Sequence, residues 1–414
     1  MIKRIFDGVK VADFSWVAAG PQVGRELAEH GATVIRIESH RRPDVIRLTP
    51  PFKDGIPGID RSGFYAAYNV NKLGISLDLN HQKGRAIARK LALWADIVSD
   101  SMVPGTMKKW GLDYESLSIE KPDLIYFSTN QQGQSGPHAR FAGYGALAAA
   151  IGGFSQLTGL PDHEPLPLVN QYTDIVAPWY LIIAVVGALR YRRKTGRGVN
   201  IDQAQIEAGL NFIGPALLDY SVNGRIANRD GNRDPYQAPH GIYPCRGKDR
   251  WVAIAVATEE QWSAFCKAIG SPAWTAEQRF STLEDRKAHE DELDRHIAEW
   301  TSDQDAEAVM TSLQAVGVPA GVTQTAEDLF KDPQLAHRHH FQWLEHPVIG
   351  WHAYHSPAYR MSETPARLTS PAPCLGQHNQ YVLQEILGLT EDEMADLLIE
   401  GVITTENDLP MTTE

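Results

Sequence analysis

Residues 9–38 read VKVADFSWVAAGPQVGRELAEHGATVIRIE, and this stretch decides the fold. Its two apolar runs, VKVADF and ATVIRIE, are typical of buried strands, and a helix that begins near Pro21 and ends at Gly31 joins them. The alternation continues with the strand-like runs ISLDL, ADIVSD and DLIYFS, with helical patterns between them. Strands and helices that alternate at this spacing predict an α/β fold with a mostly parallel sheet.

The second half of the chain has a different pattern. A long apolar helix is predicted from about Thr173 to Lys194, and a turn-rich polar stretch from Asn223 to Pro239 predicts a domain boundary. GIYPCRGKDRWVAIAV then has the pattern of a hairpin, and three helical patterns follow it. Residues 346–373 are rich in proline and are predicted to be irregular, with a final pair of helices after them.

Composition narrows the class of protein. The net charge of −12 argues against a nucleic-acid or membrane-surface role, because both need a basic face. Three cysteines without a CxxC pair fit a reducing cytoplasm, and MIKRIFDGVK lacks the apolar core of an export signal. The apolar run Ile175–Leu189 is shorter than the roughly 20 residues that span a bilayer and contains Pro178, which favours a buried helix. We therefore expect a cytoplasmic protein.

Two features near the first strands could bind an anion. The turn AAGPQVG has glycines that let a phosphate approach, although it is not GxGxxG, and an ordinary tight turn is the alternative. Five basic residues follow the second strand, where an anionic ligand would dock, and a solvated basic loop explains them equally well. They are Arg36, His40, Arg41, Arg42 and Arg47.

Asp174 is the most suggestive single residue. It follows PLVNQYT at the start of the long apolar helix. An acid in a first turn favours the helix dipole and can cap free N–H groups. A carboxylate at the mouth of a buried helix can instead be a nucleophile. The residues alone leave both interpretations open.

Other catalytic motifs are weak. The HRHH run at His337, His339 and His340 has no compact cysteine or acidic partner, so no metal is expected. GxSxG, P-loop and HExxH patterns do not occur in the sequence.

Longer blocks resemble the family III CoA-transferases, the group of formyl-CoA transferase, carnitine CoA-transferase and the α-methylacyl-CoA racemases. The blocks cover nearly the whole chain and include DFSWVAAGPQVGRELAEHGATVIRIE, GQSGPHARFAGYGALAAAIGGFSQLTG and ALRYRRKTGRGVNIDQAQIEAGL. The resemblance implies a large Rossmann-like domain made from both chain ends, a smaller inserted α+β domain, and a dimer whose two chains interlock. We place the large domain in residues 1–222 and 331–414 and the small domain in residues 223–330.

The resemblance also implies a mechanism. Asp174 aligns with the family's catalytic aspartate, which attacks a donor thioester to form a mixed anhydride and then carries CoA as an aspartyl thioester. Gln132, beside the GQSGP block, matches a position that lines the acyl site and is the candidate oxyanion donor or orienter. CoA and acyl-CoA are then substrates, and no permanently bound cofactor is expected.

Contacts to CoA carry over to the loops after the first four strands. Ser39 replaces an arginine that is common in the family, so Arg41 or Arg42 is expected to contact the CoA phosphates. Ser101 and Met102 replace the usual asparagine–phenylalanine pair before PG. The full set is Val17, Ala18, Ala19, Ser39, Arg41, Arg42, Leu77, Asn80, Ser101, Met102, Lys109 and Trp110.

Three other functions compete with transfer by this chain alone. A racemase needs an acid–base pair, commonly with a histidine in AGHD, but AGYG places Tyr144 there, and a phenol of free pKa about 10 is a poor base. A CoA-binding subunit of a heteromeric transferase is a second alternative. A nucleotide-binding oxidoreductase is the third, and the missing dinucleotide fingerprint weighs against it.

The acceptor acid is also suggested by the resemblance. Ala18 replaces a glutamine of formyl-CoA transferase, and the glycine-run loop of that branch is absent, which disfavours an oxalate and formate pair. We expect a donor of the succinyl-CoA type and a bulky acid acceptor, for example the aromatic dicarboxylate benzylsuccinate.

Overall fold

The computed structural model describes residues 4–168 and 171–404. Within them the strands are β1 (Lys10–Phe14), β2 (Thr33–Glu38), β3 (Leu73–Ser76), β4 (Ile97–Asp100), β5 (Ile125–Asn130), β6 (Val199–Ala204), β7 (His240–Pro244), β8 (Trp251–Ala255), β9 (Ala320–Val322), β10 (Phe341–His346) and β11 (Gly350–His355).

The α-helices of the same residues are α1 (Ala19–Glu29), α2 (Gly63–Asn69), α3 (Gln82–Trp94), α4 (Thr106–Trp110), α5 (Tyr114–Ser118), α6 (Gly145–Ile151), α7 (Phe154–Leu157), α8 (Tyr172–Thr195), α9 (Gln205–Leu210), α10 (Gly214–Asn223), α11 (Glu259–Ala268), α12 (Leu283–Ala288), α13 (Glu290–Ser302), α14 (Ala306–Ala315), α15 (Ala326–Lys331), α16 (Pro333–His337) and α17 (Glu391–Ile399). A π-helix covers Tyr381–Ile386.

One parallel sheet organises the first half of the chain. Its strand order is β3-β2-β1-β4-β5-β6, and each neighbouring pair is parallel. This is the strand order of the Rossmann fold, and it confirms the predicted α/β fold with a parallel sheet. The order reverses between β1 and β4, and ligands bind outside the carboxyl ends of the strands at such a point.

Helices cover both faces of this sheet, which explains why strands β1 to β5 are largely buried. Phe14 and Ile35 are buried with Leu91 of α3 on one face. Val11 is buried with Leu181 of α8 on the other face. The carboxyl edge, where the strands end, is therefore the part of the sheet that can present polar groups.

Helix α8 is longer than the apolar run on which its prediction was based. Its 24 residues are long and apolar enough to cross a membrane by length and composition alone. However, Leu181 and Val185 are fully buried against the sheet, as in the core helix of a globular domain. One face of α8 is therefore buried, as predicted from the sequence.

The chain divides into two compact units. The first takes in Met1–Ser155, Pro167–Ile226 and Gln334–Glu414, as far as these are described, and the second takes in Gln156–Leu166 and Ala227–Pro333. The second unit contains the antiparallel sheet β7-β8-β9 and α11 to α14, so the predicted hairpin and its three following helical patterns are confirmed. The domain bounds 1–222, 223–330 and 331–414 stay predictions.

The prediction of an irregular stretch over residues 346–373 is wrong at its start. Strands β10 and β11 form an antiparallel hairpin there. Its turn is held by His346, whose Nδ1 accepts hydrogen bonds from the N–H groups of Val348 and Ile349, both at 3.1 Å. Because His346 and His352 lie on the hairpin face opposite Trp351, the sequence lacks the apolar alternation by which strands are recognised.

Candidate active site

The predicted CoA contacts meet at the carboxyl edge of the parallel sheet. They lie in the loops and helix starts that follow β1, β2 and β3 and in the loop and helix α4 that follow β4, and these four strands are neighbours in the sheet. Residues that are far apart in sequence therefore share one edge, at the switch point between β1 and β4. The individual residues differ in what they can offer a ligand.

The turn between β1 and α1 has an unusual backbone. Val17 has a φ of +66°, which is rare for a β-branched residue, and its N–H donates to Asp44 Oδ2 at 2.9 Å. A Cβ on Gly20 would lie 2.3 Å from Ser15 Cβ, so this turn requires glycine. Ala18 and Ala19 follow at the buried start of α1, where the first N–H groups of a helix have no partner within it.

The loop after β4 is tied to the loop after β1. Ser101 Oγ accepts a hydrogen bond from the N–H of Trp16 at 2.7 Å and donates one to the Trp16 carbonyl at 3.1 Å. The N–H of Met102 donates to Asp100 Oδ1 at 2.8 Å. The Ser101 hydroxyl thus joins the two loops and is occupied by the Trp16 backbone.

The basic cluster after β2 is not one anion site. Arg36 and Arg47 are fully buried and pair with carboxylates. Arg47 contacts Glu38 at 2.8 Å and Asp60 at 2.5 Å, and Arg36 contacts Asp44. The prediction of an anion-binding cluster is wrong for Arg36 and Arg47, because buried carboxylates already neutralise both guanidinium groups.

Arg41 and Arg42 remain at the surface of the site. The Arg41 side chain is 59% exposed and pairs with Asp78 at 3.2 Å. The Arg42 guanidinium lies 5.6 Å from the centre of the Trp16 ring, a cation–π distance. Both side chains can reach an anion in solvent, as expected for groups that contact CoA phosphates.

The other predicted CoA contacts fall into two groups. Ser39, Asn80 and Lys109 are half-buried or exposed, and Trp110 packs its ring against the core. Leu77 is fully buried, and its N–H donates to the Glu38 carbonyl at 2.6 Å. Among these residues, the Leu77 side chain is part of the core.

Asp174 lies against a glycine of a neighbouring helix. Only 5% of the residue is exposed, and its Oδ2 accepts a hydrogen bond from the N–H of Gly145 at 3.2 Å. A Cβ on Gly145 would lie 2.4 Å from that oxygen, so glycine is required for this approach. Thr173 Oγ1 donates to the Gly145 carbonyl at 3.1 Å, which fixes the same pair of helices from the other side.

The surroundings of Asp174 leave its carboxylate poorly solvated. Burial raises its pKa to about 6, although hydrogen bonds from Gly145 and Gln205 work in the opposite direction. Its hydrogen-bond partners lie on α6 and α9, not in the first turn of α8. At neutral pH the group is ionised and weakly hydrated, which suits a nucleophile better than a helix cap.

Three glutamines directly follow β5 and β6 at the carboxyl edge of the sheet. Gln132, the predicted donor, is half-buried, and its N–H donates to Asn130 Oδ1 at 3.2 Å. Sequence reasoning missed Gln131, which donates from Nε2 to the Tyr144 carbonyl at 2.5 Å, and Gln205, the partner of Asp174. A signal existed, since Gln131 and Gln205 directly follow β5 and β6 and so belong to the carboxyl edge.

Tyr144 occupies the position that a racemase would fill with a histidine. It is 58% exposed and directly precedes Gly145 at the start of α6. Its carbonyl accepts the hydrogen bond from Gln131, so the backbone of Tyr144, rather than its phenol, is tied into the surroundings of Asp174.

Metal ligands are not grouped in residues 4–168 and 171–404. No set of three or more histidine, cysteine, aspartate or glutamate side chains in these ranges could hold a metal ion. His337, His339 and His340 lie at and just after the end of α16.

Comparisons with known proteins identify the family of this chain. The family model described as CoA-transferase family III matches residues 6–379. The chain is 32% identical to a succinyl-CoA–D-citramalate CoA-transferase of Chloroflexus aurantiacus, over 97% of this chain and 98% of that protein. It is 33% identical to a succinate–glutarate CoA-transferase of Agrobacterium fabrum, over 93% and 96%.

A solved structure is also similar to this chain. It is a CAIB/BAIF family protein from Brucella suis, with a TM-score of 0.85 and 30% identity over 93% of this chain and all of that one. The family match, the relatives and the solved structure each cover most of the chain. The chain therefore belongs to CoA-transferase family III and is an enzyme that transfers CoA.

Proposed function

We propose that this enzyme moves CoA from succinyl-CoA to a second carboxylic acid and that Asp174 carries the exchange. The observation that supports this most is the buried Asp174 carboxylate at the carboxyl edge of the sheet, within hydrogen-bond distance of Gly145. Both relatives are named for succinyl-CoA or succinate and a second dicarboxylic acid.

The exchange divides into four displacements. An Asp174 oxygen attacks the thioester carbonyl, the C–S bond breaks, and an acyl-aspartyl anhydride and CoA thiolate form. The thiolate then attacks the aspartyl carbonyl, which releases the free acid and leaves an aspartyl-CoA thioester. The acceptor carboxylate attacks this thioester to form a second anhydride and thiolate. Attack of that thiolate on the acceptor's carbonyl completes the product and restores Asp174.

Positioning and desolvation make these steps possible. A hydrated carboxylate is a poor nucleophile toward a thioester, whereas a buried one held at reacting distance gains the advantage of an intramolecular reaction. The developing oxyanion needs N–H donors near Asp174. The amide side chain of Gln132 is the proposed donor, since it lies in the loop directly after β5.

The finer proposal concerns the acceptor, for which we name a bulky dicarboxylate of the benzylsuccinate type. The purified chain would be incubated with succinyl-CoA and each of citramalate, glutarate, benzylsuccinate, oxalate and carnitine, and CoA esters would be quantified by mass spectrometry. The proposal predicts CoA esters of dicarboxylates, with benzylsuccinate among them. Activity with oxalate or carnitine alone would overturn it.

A second copy of the chain is the proposed partner, in an interlocked dimer. Helices α8 and α10 carry large exposed apolar side chains, among them Ile183, Leu218 and Val222. Surfaces of this kind mark interfaces between proteins. Light scattering of the purified chain should give a dimer, and a monomer that transfers CoA would contradict it.

The alternative assembly is a heteromer with a paralogous subunit. We propose a cytoplasmic location for either assembly. The same preparation distinguishes the two assemblies. CoA transfer by the chain alone favours the homodimer, whereas folded, CoA-binding chain without transfer favours the heteromer.

A further inference from the structure

Val17 has a backbone conformation that needs an external restraint. A φ of +66° at a β-branched residue brings its Cβ against the backbone, so this conformation persists only where neighbouring groups hold it. The residue lies in the turn that we assign to CoA. A neighbouring group must therefore supply this restraint.

Asp44 is that group. Its Oδ2 accepts the hydrogen bond from the Val17 N–H at 2.9 Å, and its Oδ1 accepts one from the N–H of Ile46 at 3.2 Å. The carboxylate is fully buried, and Arg36, also fully buried, donates to the same Oδ2. A charge-assisted hydrogen bond away from water is stronger than an ordinary one.

The position of Asp44 is itself fixed by other buried charges. The N–H of Asp44 donates to Glu38 Oε1 at 3.3 Å, and Arg36 lies 3.7 Å from both Glu38 and Asp13. Glu38 is the last residue of β2, and Asp13 lies in β1. The restraint on Val17 is thus anchored to two neighbouring strands of the sheet.

We propose that Asp44 is a positioning residue for acyl-CoA. It holds Val17 in the left-handed conformation and so shapes the Val17–Ala19 turn against which CoA binds. Asp44 contacts no substrate in this account, and the inference rests on the proposed CoA transfer. If Asp44 had a purely structural role, its substitution would change the stability of the protein, but the folded variant would bind CoA as tightly as the wild type.

The test uses four variants in the full chain: Asp44→Asn, Val17→Gly, the double variant, and Asp60→Asn. Asp44→Asn weakens the restraint, and Val17→Gly removes the need for it, because glycine adopts positive φ freely. Asp60→Asn is the matched control, since Asp60 pairs with Arg47 of the same charge network, whereas the Val17 N–H donates to Asp44. Thermal unfolding would establish the folded fraction of each protein.

The expected result separates binding from chemistry. Asp44→Asn should raise the KM for succinyl-CoA and the Kd for CoA about tenfold, with kcat within about twofold. In the Val17→Gly background, Asp44→Asn should raise this KM and this Kd by less than about threefold. Asp60→Asn should lower stability and leave the Kd for CoA unchanged.

Two outcomes would overturn the inference. One is an unchanged Kd for CoA in folded Asp44→Asn, and the other is an equal loss in both backgrounds. If Asp44→Asn does not fold, Val17→Pro decides, because proline lacks the N–H and cannot adopt positive φ. Unchanged CoA binding in that variant would also sink the inference. Failure of the proposed function is distinct, since wild-type protein would then transfer no CoA at all.

Discussion

Substitution of Asp174 by asparagine separates the two roles that its position allows. Asparagine keeps the size of the side chain and an oxygen that can accept the Gly145 hydrogen bond, but it removes the charge. A nucleophile would lose all transfer activity. Burying a charge also costs free energy of folding. The uncharged variant should therefore be more stable than the wild type.

The size of this gain follows from the pKa of Asp174. Burial raises the pKa from 3.8 to about 6, and each pKa unit corresponds to about 1.4 kcal/mol. Because the folded-state pKa is above the unfolded value, the wild type loses stability relative to the variant as pH rises through about 6. Asp174→Asn should therefore gain up to about 3 kcal/mol at pH 8 and very little near pH 4.

Thermal unfolding at pH 4 and pH 8 measures this, together with initial rates of CoA transfer at pH 8. Asp392→Asn is the control, because Asp392 is an exposed acid in the first turn of α17. Removing it should lower stability slightly through the helix dipole and leave transfer unchanged. If Asp174 were only a helix-start acid, Asp174→Asn would behave like Asp392→Asn. A lower Tm at pH 8, or retained transfer, would refute the reasoning.

Three further predictions concern the same carboxylate. The kcat/KM of the wild type should fall as pH falls through about 6, because Asp174 is then protonated, and rates from pH 5 to 8 check this. Gly145→Ala should lower kcat about a hundredfold, since its Cβ would lie 2.4 Å from Asp174 Oδ2, and a smaller loss in a folded variant would contradict it. Gln205→Ala removes a hydrogen bond that lowers the pKa of Asp174, so the acidic limb of that profile should move to higher pH; an unmoved limb would contradict this role.

The architecture was predictable because its signal is local. Strands β1 and β2 are buried along nearly their whole length, so the runs VKVADF and ATVIRIE stand out from the helix between them. The placement of the CoA loops at one edge then follows from the parallel arrangement. The hairpin of β10 and β11 was missed because the polar His346 lies on its buried face while the apolar Trp343 and Trp351 lie on its exposed face, which breaks the usual alternation.

The charges were harder to predict than the strands. Arg36 and Arg47 were expected to meet an anionic ligand, but Glu38, Asp44 and Asp60 neutralise them inside the protein. A sequence gives the number of charges and not their pairing, which depends on contacts between separate loops. The role of Asp44 at Val17 was hidden for the same reason.

Asp174 was identified through resemblance rather than through local chemistry. Its sequence context fits an ordinary helix-start acid as well as a nucleophile. The structure adds two facts that the sequence could not supply: the carboxylate is buried, and Gly145, 29 residues away, donates to it. Both depend on how α6 and α8 pack together.

The most direct test of Asp174 as the carrier is to trap the intermediate on it. The protein would be incubated with succinyl-CoA without an acceptor, treated with hydroxylamine, digested, and analysed by mass spectrometry. The account predicts a hydroxamate on Asp174 that is absent without succinyl-CoA. A modification on another residue, or an unmodified Asp174 in protein that transfers CoA, would contradict it.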